Sequence, residues 1–513
     1  MSVPMPVTED RIARPLISTE SNRARASAAV SAGFLLTNVF GGLLALLIVV
    51  IAGEGPKTDG FLAAYSLYLI FLLFGSTLRI GLVPLLGSTA DEGPFRRQAQ
   101  EQVSRLVAVT ALVCAIALPL APLLGRAVAQ GAAPEARETA AITLAILSFA
   151  AFCQVWSAAL SAVLGAARRF AVSAGLYTAS SIVTVGVAAA MMALIGIEGA
   201  PIGILAGAAT LLAGHLVYTR SFGFAPGLGW RPVRERASWR LVGQALAAAA
   251  IPVALQLSLT ISLAAVSGEV GAITAYTYAY LFTVVLTGVT ASSVGLVTMP
   301  DLVSSLEQRG REAAREYLRT ITPFGAYLYV PLAAGYAAFG NPIVSALLSA
   351  DLSENTFELL WDLSRLFLIM GLSWTLLVTG TTMALSMRLY RQLILASLAA
   401  VAVHAVAVIL VDQEGTMAVG VAQVCSSTLL VLMPMAMVFA RRLPWAVTTA
   451  IRTSLPALAL AAVFPALAAT GLDDSVAGAL AGLVLGTALY LVLAAALWPS
   501  VGRQAFRLLF ARA

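Results

Sequence analysis

The sequence predicts an all-α polytopic membrane protein: fourteen transmembrane helices, arranged as two parallel six-helix repeats plus two C-terminal helices, with both termini cytosolic. Three observations predict it. The first is solvent preference. Of 513 residues 60% are apolar and 11% charged, and mean hydropathy is +0.91; soluble domains run at about half and about a quarter. This excludes a soluble enzyme on one small anchor, a disordered chain and a fibrous one. The second is the alternation of arginine between successive loops. The third is a set of residues that recur 216 positions apart.

A helix crosses the hydrocarbon core with about 20 apolar residues. Stretches of that kind lie near 28–53, 59–87, 103–125, 139–166, 170–196, 199–219, 241–267, 270–300, 320–348, 357–387, 392–411, 415–440, 443–470 and 475–498. The ninth contains Gly340-Asn341-Pro342, which predicts a break or kink. Residues 1–26 are polar and lack the apolar core of a secretory signal, so they are expected to form a cytosolic tail.

The loops test this span count. With the N-terminus inside, the inside segments hold 25 of the 31 basic residues, from Arg11 and Arg14 to Arg507 and Arg512. The outside loops hold only Lys57, Arg126 and Arg137, and Arg79, Arg365 and Arg452 fall within spans. Every segment obeys the positive-inside rule. The net charge of +6 therefore reports topology, not nucleic-acid binding. The densest cluster, 231–240, reads as an interfacial segment against anionic lipid.

Glu198-Gly199 and Glu414-Gly415 are 216 positions apart, as are Pro84 and Pro300, and Ser76 and Ser292. The offset covers six spans. An even number keeps both copies in one orientation, so the repeats are parallel about an axis along the membrane normal. The expected organisation is a cytosolic tail (1–26), an N-lobe (27–222), a basic linker (223–240), a C-lobe (241–442), two further spans (443–500) and a cytosolic tail (501–513). Lobes of this kind rock about a central cavity, which points to a transporter; a scaffold that has lost transport is the other reading.

Three strings carry a family resemblance. SAALSAVLGAARRFAVSAGLYTASSIV (157–183), TDGFLAAYSLYLIFLLFGSTLRIGLVPLLG (58–87) and AITAYTYAYLFTVVLTGVTASSVGLVTMPDL (272–302) resemble spans 4–5, 2 and 8 of the MviN/MurJ lipid II flippase family. That family belongs to the multidrug/oligosaccharidyl-lipid/polysaccharide exporter superfamily. The resemblance implies a flippase of the bacterial cytoplasmic (inner) membrane. It would move a lipid-linked saccharide, of the lipid II type used for peptidoglycan, from the inner to the outer leaflet by alternating access. The alternatives are another polyprenyl-linked polysaccharide unit as cargo, or a transport-inactive scaffold for envelope synthesis. Implied partners are the lipid-linked oligosaccharide, membrane lipids and envelope-synthesis proteins. Family members place arginines in the cavity from spans 1, 2 and 8 to hold a diphosphate. Here span 1 has none, and Tyr278 and Tyr280 stand where an Asp-Arg pair is expected; Asp59 is retained.

Polar groups at bilayer depth tend to face a cavity. Cavity candidates are Asn38, Asp59, Arg79, Gln256 and the span-8 stripe Tyr276, Tyr280, Thr283 and Thr287. Arg79 suits a phosphate-bearing headgroup or snorkels to the interface. The stripe suits sugar hydroxyls and rings, or packs between helices. Coupling candidates are Asp362 and Arg365, three residues apart on one helical face, and His404. The pair reads as an intrahelical ion pair or a gate; the histidine as a titrating group or a hydrogen-bonded packing residue. No enzyme motif, cofactor motif or metal-ligand spacing occurs in the sequence, and Cys114, Cys153 and Cys425 read as small buried hydrophobes.

Overall fold

The structure, a computed structural model, describes residues 36–37, 39–87, 93–166, 169–221, 236–287, 290, 302, 305–306, 309–348, 350–439 and 442–497. The helices labelled here are α1 (Val39–Ala52), α2 (Pro56–Gly87), α3 (Gly93–Val128), α4 (Pro134–Ala166), α5 (Phe170–Ile195), α6 (Gly199–Ser221) and α7 (Arg236–Val266). They continue with α8 (Ala272–Thr287), α9 (Arg311–Leu348), α10 (Glu354–Ser386), α11 (Tyr390–Val411), α12 (Thr416–Phe439), α13 (Leu443–Leu460) and α14 (Val476–Leu497). No strand occurs among the described residues. That is what a bilayer demands, because a helix satisfies its own backbone hydrogen bonds.

By length and apolarity ten stretches qualify as membrane-crossing, or eleven when the bent pair in α3 counts as one. One of the ten, Ala171–Ser221, holds both α5 and α6. The two fold back on each other at the 3₁₀ turn Gly196–Glu198, where Gly196 takes φ +72°. The same kind of turn, Asp412–Glu414, joins α11 to α12 at the 216-residue offset, with Gly415 at φ +89°. α1 and α8 are shorter apolar helices among the described residues.

Packing repeats at an interval of six helices. In the first half α2 and α3 pack on α4, and α4 and α5 pack on α6. In the second half α8 and α9 pack on α10, and α10 and α11 pack on α12. α13 and α14 lie against α9, where the Tyr490 hydroxyl donates to the Tyr327 carbonyl (3.3 Å).

Two helices depart from sequence expectation. Of the break or kink expected at Gly340-Asn341-Pro342, the break does not occur, and α9 runs through it to Leu348. Pro342 lies within two turns of the helix end, so the single hydrogen bond it removes does not stop the helix. α3 bends instead, by 60° between Ile116 and Leu118. Pro119 and Pro122 sit just beyond the bend, and proline removes a backbone donor and crowds the carbonyl one turn back.

Lipid tails are as apolar as leucine, so helix association depends on close packing. The α2–α4 contact shows this: a methyl group on Gly60 would run into the Ala136 carbonyl, and Ala63, Ala64 and Ala140 are fully buried. Large side chains point outward instead, among them Leu194, Ile409 and Val484. Cys425 is also exposed, on α12, and Cys114 and Cys153 are half-buried, so the expectation of buried cysteines fails for Cys425. Hydroxyls in the apolar helices donate back to carbonyls one turn earlier, as Ser148, Thr184 and Thr210 do.

Gly60→Leu is expected to destabilise the protein by about 1–3 kcal/mol or more through overpacking. Gly175→Leu is the control, since nothing lies within 4 Å of its added Cβ. Thermal unfolding followed by size-exclusion in detergent measures both.

Candidate functional site

The two halves meet along α2, α7 and α8. The chain folds this way because of the turn after α1. Gly53 takes φ +67° and turns the chain, the Thr58 hydroxyl donates to its carbonyl (2.9 Å), and Pro56 starts α2. Two carboxylates then point away from their own half.

Asp59 is buried, and its Oδ1 accepts from the Thr274 backbone N–H (3.2 Å) and the Thr274 hydroxyl (2.7 Å). Thr274 lies in the first turn of α8, so Asp59 caps a helix of the other half. Glu54 does the same for α10. Its Oε2 accepts from the Ser353 N–H (2.7 Å), and its Oε1 accepts from the Thr356 hydroxyl (2.7 Å). Helix N-termini carry unsatisfied N–H groups and a partial positive charge, which carboxylates neutralise. A third tie at this end runs from the Gly131 N–H to the Ser267 hydroxyl (3.0 Å).

Deeper along α2 the seam is neutral. The Ser66 and Thr260 hydroxyls are 3.2 Å apart, and Gln256 Nε2 donates to the Ser66 carbonyl (3.1 Å). The Tyr278 hydroxyl donates to the Ala45 carbonyl of α1 (2.7 Å). No arginine or lysine lies between Val39 and Ala52, between Tyr65 and Gly75, or in α8.

The structure brings Asp59 and Gln256 into this seam. It places the span-8 stripe differently, against α10. Tyr276 meets Phe367 edge-on with ring centroids 5.1 Å apart, and Tyr280 meets Trp374 at 5.5 Å. Thr283 and Thr287 donate to carbonyls of their own helix. All four are buried. Asn38 and the side chain of Arg79 lie outside the described residues.

The expected Asp362–Arg365 ion pair does not form. Both residues are exposed on α10, and the Arg365 guanidinium lies over the Trp361 ring, 5.1 Å from its centroid. Trp361 is one turn earlier and offers a cation–π face. His404 is fully buried between α7 and α12, with both ring nitrogens engaged.

Glu54, Ser353, Thr356 and Ser267 were not singled out from sequence. A Ser-x-x-Thr pattern opening α10 was the available signal for its cap, but nothing local marked Glu54 as its partner 299 positions away. Among the described residues no group of His, Cys, Asp and Glu has metal-site geometry.

An all-helical membrane fold, with its halves meeting along a polar seam and tied at one end, is the architecture of a polytopic transporter. The chain belongs to the lipid II flippase MurJ family, whose sequence profile matches residues 48–489. Among solved structures it is similar to a lipid II flippase MurJ in an inward closed conformation. Identity is 16%, TM-score 0.71, and 92% of this chain and 99% of that one are covered. It is also similar to a MATE-family multidrug resistance transporter of the MOP superfamily in an inward-facing conformation: 13% identity, TM-score 0.61, 83% of this chain and 99% of that one. For an outward-facing MATE transporter the values are 14%, 0.55, 84% and 96%. No curated protein matches the chain in sequence.

Replacing Asp59 by Asn keeps an acceptor but removes the charge that strengthens it. Hydrogen bonds to charged groups contribute about 1.5–3 kcal/mol, against about 1 for neutral ones. In a background with the native cysteines replaced, a Thr260→Cys reporter should react with a water-soluble maleimide about tenfold faster once Asp59→Asn is added. Unchanged labelling would show that Asp59 does not hold the seam shut.

Proposed function

We propose that the protein flips a lipid-linked saccharide of the lipid II class from the inner to the outer leaflet of a bacterial cytoplasmic membrane by alternating access. The observation that carries the mechanism is the seam sealed at one end, with Glu54 and Asp59 capping α10 and α8. Family membership supports the substrate class.

In this reading the fourteen helices α1–α14 all span, both termini are cytosolic, and spans 1–6 and 7–12 form the two lobes. The repeated packing of α2–α6 and α8–α12 supports the lobes. The arginine bias of the loops supports an outside position for the Glu54 and Asp59 end. The cavity opens inward while these caps hold, and binding of the headgroup is followed by their release. The headgroup then leaves toward an acidic outer face, with 11 acids in the outside loops against three bases. Gln256, Ser66 and Thr260 form a neutral lining that suits sugar and amide hydroxyls. Asp59 then serves as a gate residue and does not contact phosphate, which leaves Arg79 as the cationic candidate for that contact. Charge at the cavity wall is therefore sparser than a diphosphate carrier of this family would have.

Three experiments test this. Expression in cells depleted of their own lipid II flippase should restore growth; failure to do so removes lipid II as cargo. A Gly131→Cys/Ser267→Cys pair, in a background without native cysteines, should oxidise to a disulfide that stops flipping, with reductant restoring it. Flipping at full rate with the disulfide closed would exclude opening at this end. Arg79→Ala should reduce flipping at least about tenfold if the guanidinium contributes a charged hydrogen bond.

A further inference from the structure

The strongest polar assembly outside the seam centres on His404. The ring is fully buried in the middle of α11, and its bonds cross to α7 and α12. Nε2 faces the Ser258 carbonyl at 2.9 Å. A carbonyl only accepts, so Nε2 carries a proton. The same nitrogen is 3.0 Å from the Ser262 hydroxyl. That hydroxyl donates its one proton to Gln423 Oε1 (2.9 Å), so it too accepts from Nε2–H.

Nδ1 is the nitrogen with a choice. It lies 2.8 Å from the Ser426 hydroxyl, which is also 3.1 Å from the Gln423 carbonyl. Ser426 has one proton and two acceptors. When the hydroxyl proton points to Nδ1 the ring is neutral. When it points to the Gln423 carbonyl, Nδ1–H donates to Ser426 Oγ and the ring is an imidazolium. Both states leave every group in the cluster bonded, and they differ by one added proton and one hydroxyl rotation.

The groups facing the ring carry no charge. α7 presents Ser258 and Ser262, and α12 presents Gln423 and Ser426. α8 contributes one titratable group, Tyr276, whose hydroxyl is directed toward Ser262. An added proton is thus not neutralised by a carboxylate, and the membrane field acts on it. α7 also connects the cluster to the seam. Ser258 and Ser262 lie one turn apart on the face toward His404, while Gln256 and Thr260 lie one turn apart on the face toward Ser66 of α2.

We infer that His404 is a proton-binding site, and that its occupancy biases the α2–α7 seam through residues 256–262 of α7. The proton site stands on the cluster geometry. Its effect on transport rests on the flippase reading above.

The chain has only two histidines, which makes the test direct. The full-length protein with His215→Gln, labelled with nitrogen-15 histidine and held in lipid nanodiscs, shows one imidazole. From about pH 8 to about pH 4 its spectrum should pass from the neutral ring protonated at Nε2 to the doubly protonated ring. Ser426→Ala, which removes the hydroxyl acceptor of the new N–H and leaves it only the Ala422 carbonyl, should make the protonated form harder to reach, by about a tenfold change in proton affinity. A ring that stays neutral over that range in folded protein overturns the proposal, and so does a Ser426→Ala variant with unchanged affinity.

In vesicles, flipping of a lipid-linked saccharide should respond to an imposed pH gradient in the wild type. The response should be lost in His404→Gln, which keeps one donor and one acceptor for packing. An equal response in both overturns the coupling. Absence of flipping under every condition counts against the flippase reading alone, because the titration still decides the proton site.

Discussion

The halves of this protein are held together at one end by carboxylates that serve helices other than their own. Asp59 sits in the first turn of α2, where an acid would ordinarily neutralise its own helix terminus, yet it bonds to α8. Glu54 leaves the α1–α2 turn and supplies the acceptor that α10 needs beyond its own Ser353 cap. In lipid an unpaired N–H has no water to turn to. The bonds from Asp59 to Thr274 are buried, so that cap couples the energy of a helix terminus to the closure of the seam. The rest of the seam follows from that registration: once Asp59 meets Thr274, Ser66 falls opposite Thr260, and Gln256 reaches the Ser66 carbonyl.

Much of the fold was legible from sequence because its physics is one-dimensional. Helix positions follow from apolar length. The repeat was readable from spacing because the same turns recur. Side-chain partners were less legible. Asp362 and Arg365 have the spacing of an ion pair, but Trp361 one turn back takes the guanidinium. The tyrosine stripe has the period of a cavity wall, but α10 brings Phe367 and Trp374 onto it. Periodicity reports that residues share a face, and only the neighbouring helix decides what that face meets. Glu54 was invisible for the same reason: its partners lie about 300 positions away.

The chemistry of the described seam is mostly neutral. In the described part of the seam the contacts are made by hydroxyls, amides and backbone carbonyls, and the charged groups sit at the end. Charge is expensive in a bilayer. A neutral seam separates without desolvating an ion.

The paired 3₁₀ turns at 196–198 and 412–414 bear on how the two halves have diverged. They occupy equivalent positions and each joins a hairpin, yet the left-handed glycine opens the first turn at Gly196 and follows the second at Gly415. The repeat thus conserves a length of chain and an angle of return, while the residue that makes the return affordable has moved by three positions relative to the turn. The two hairpins therefore return at equivalent places in the chain by different local means.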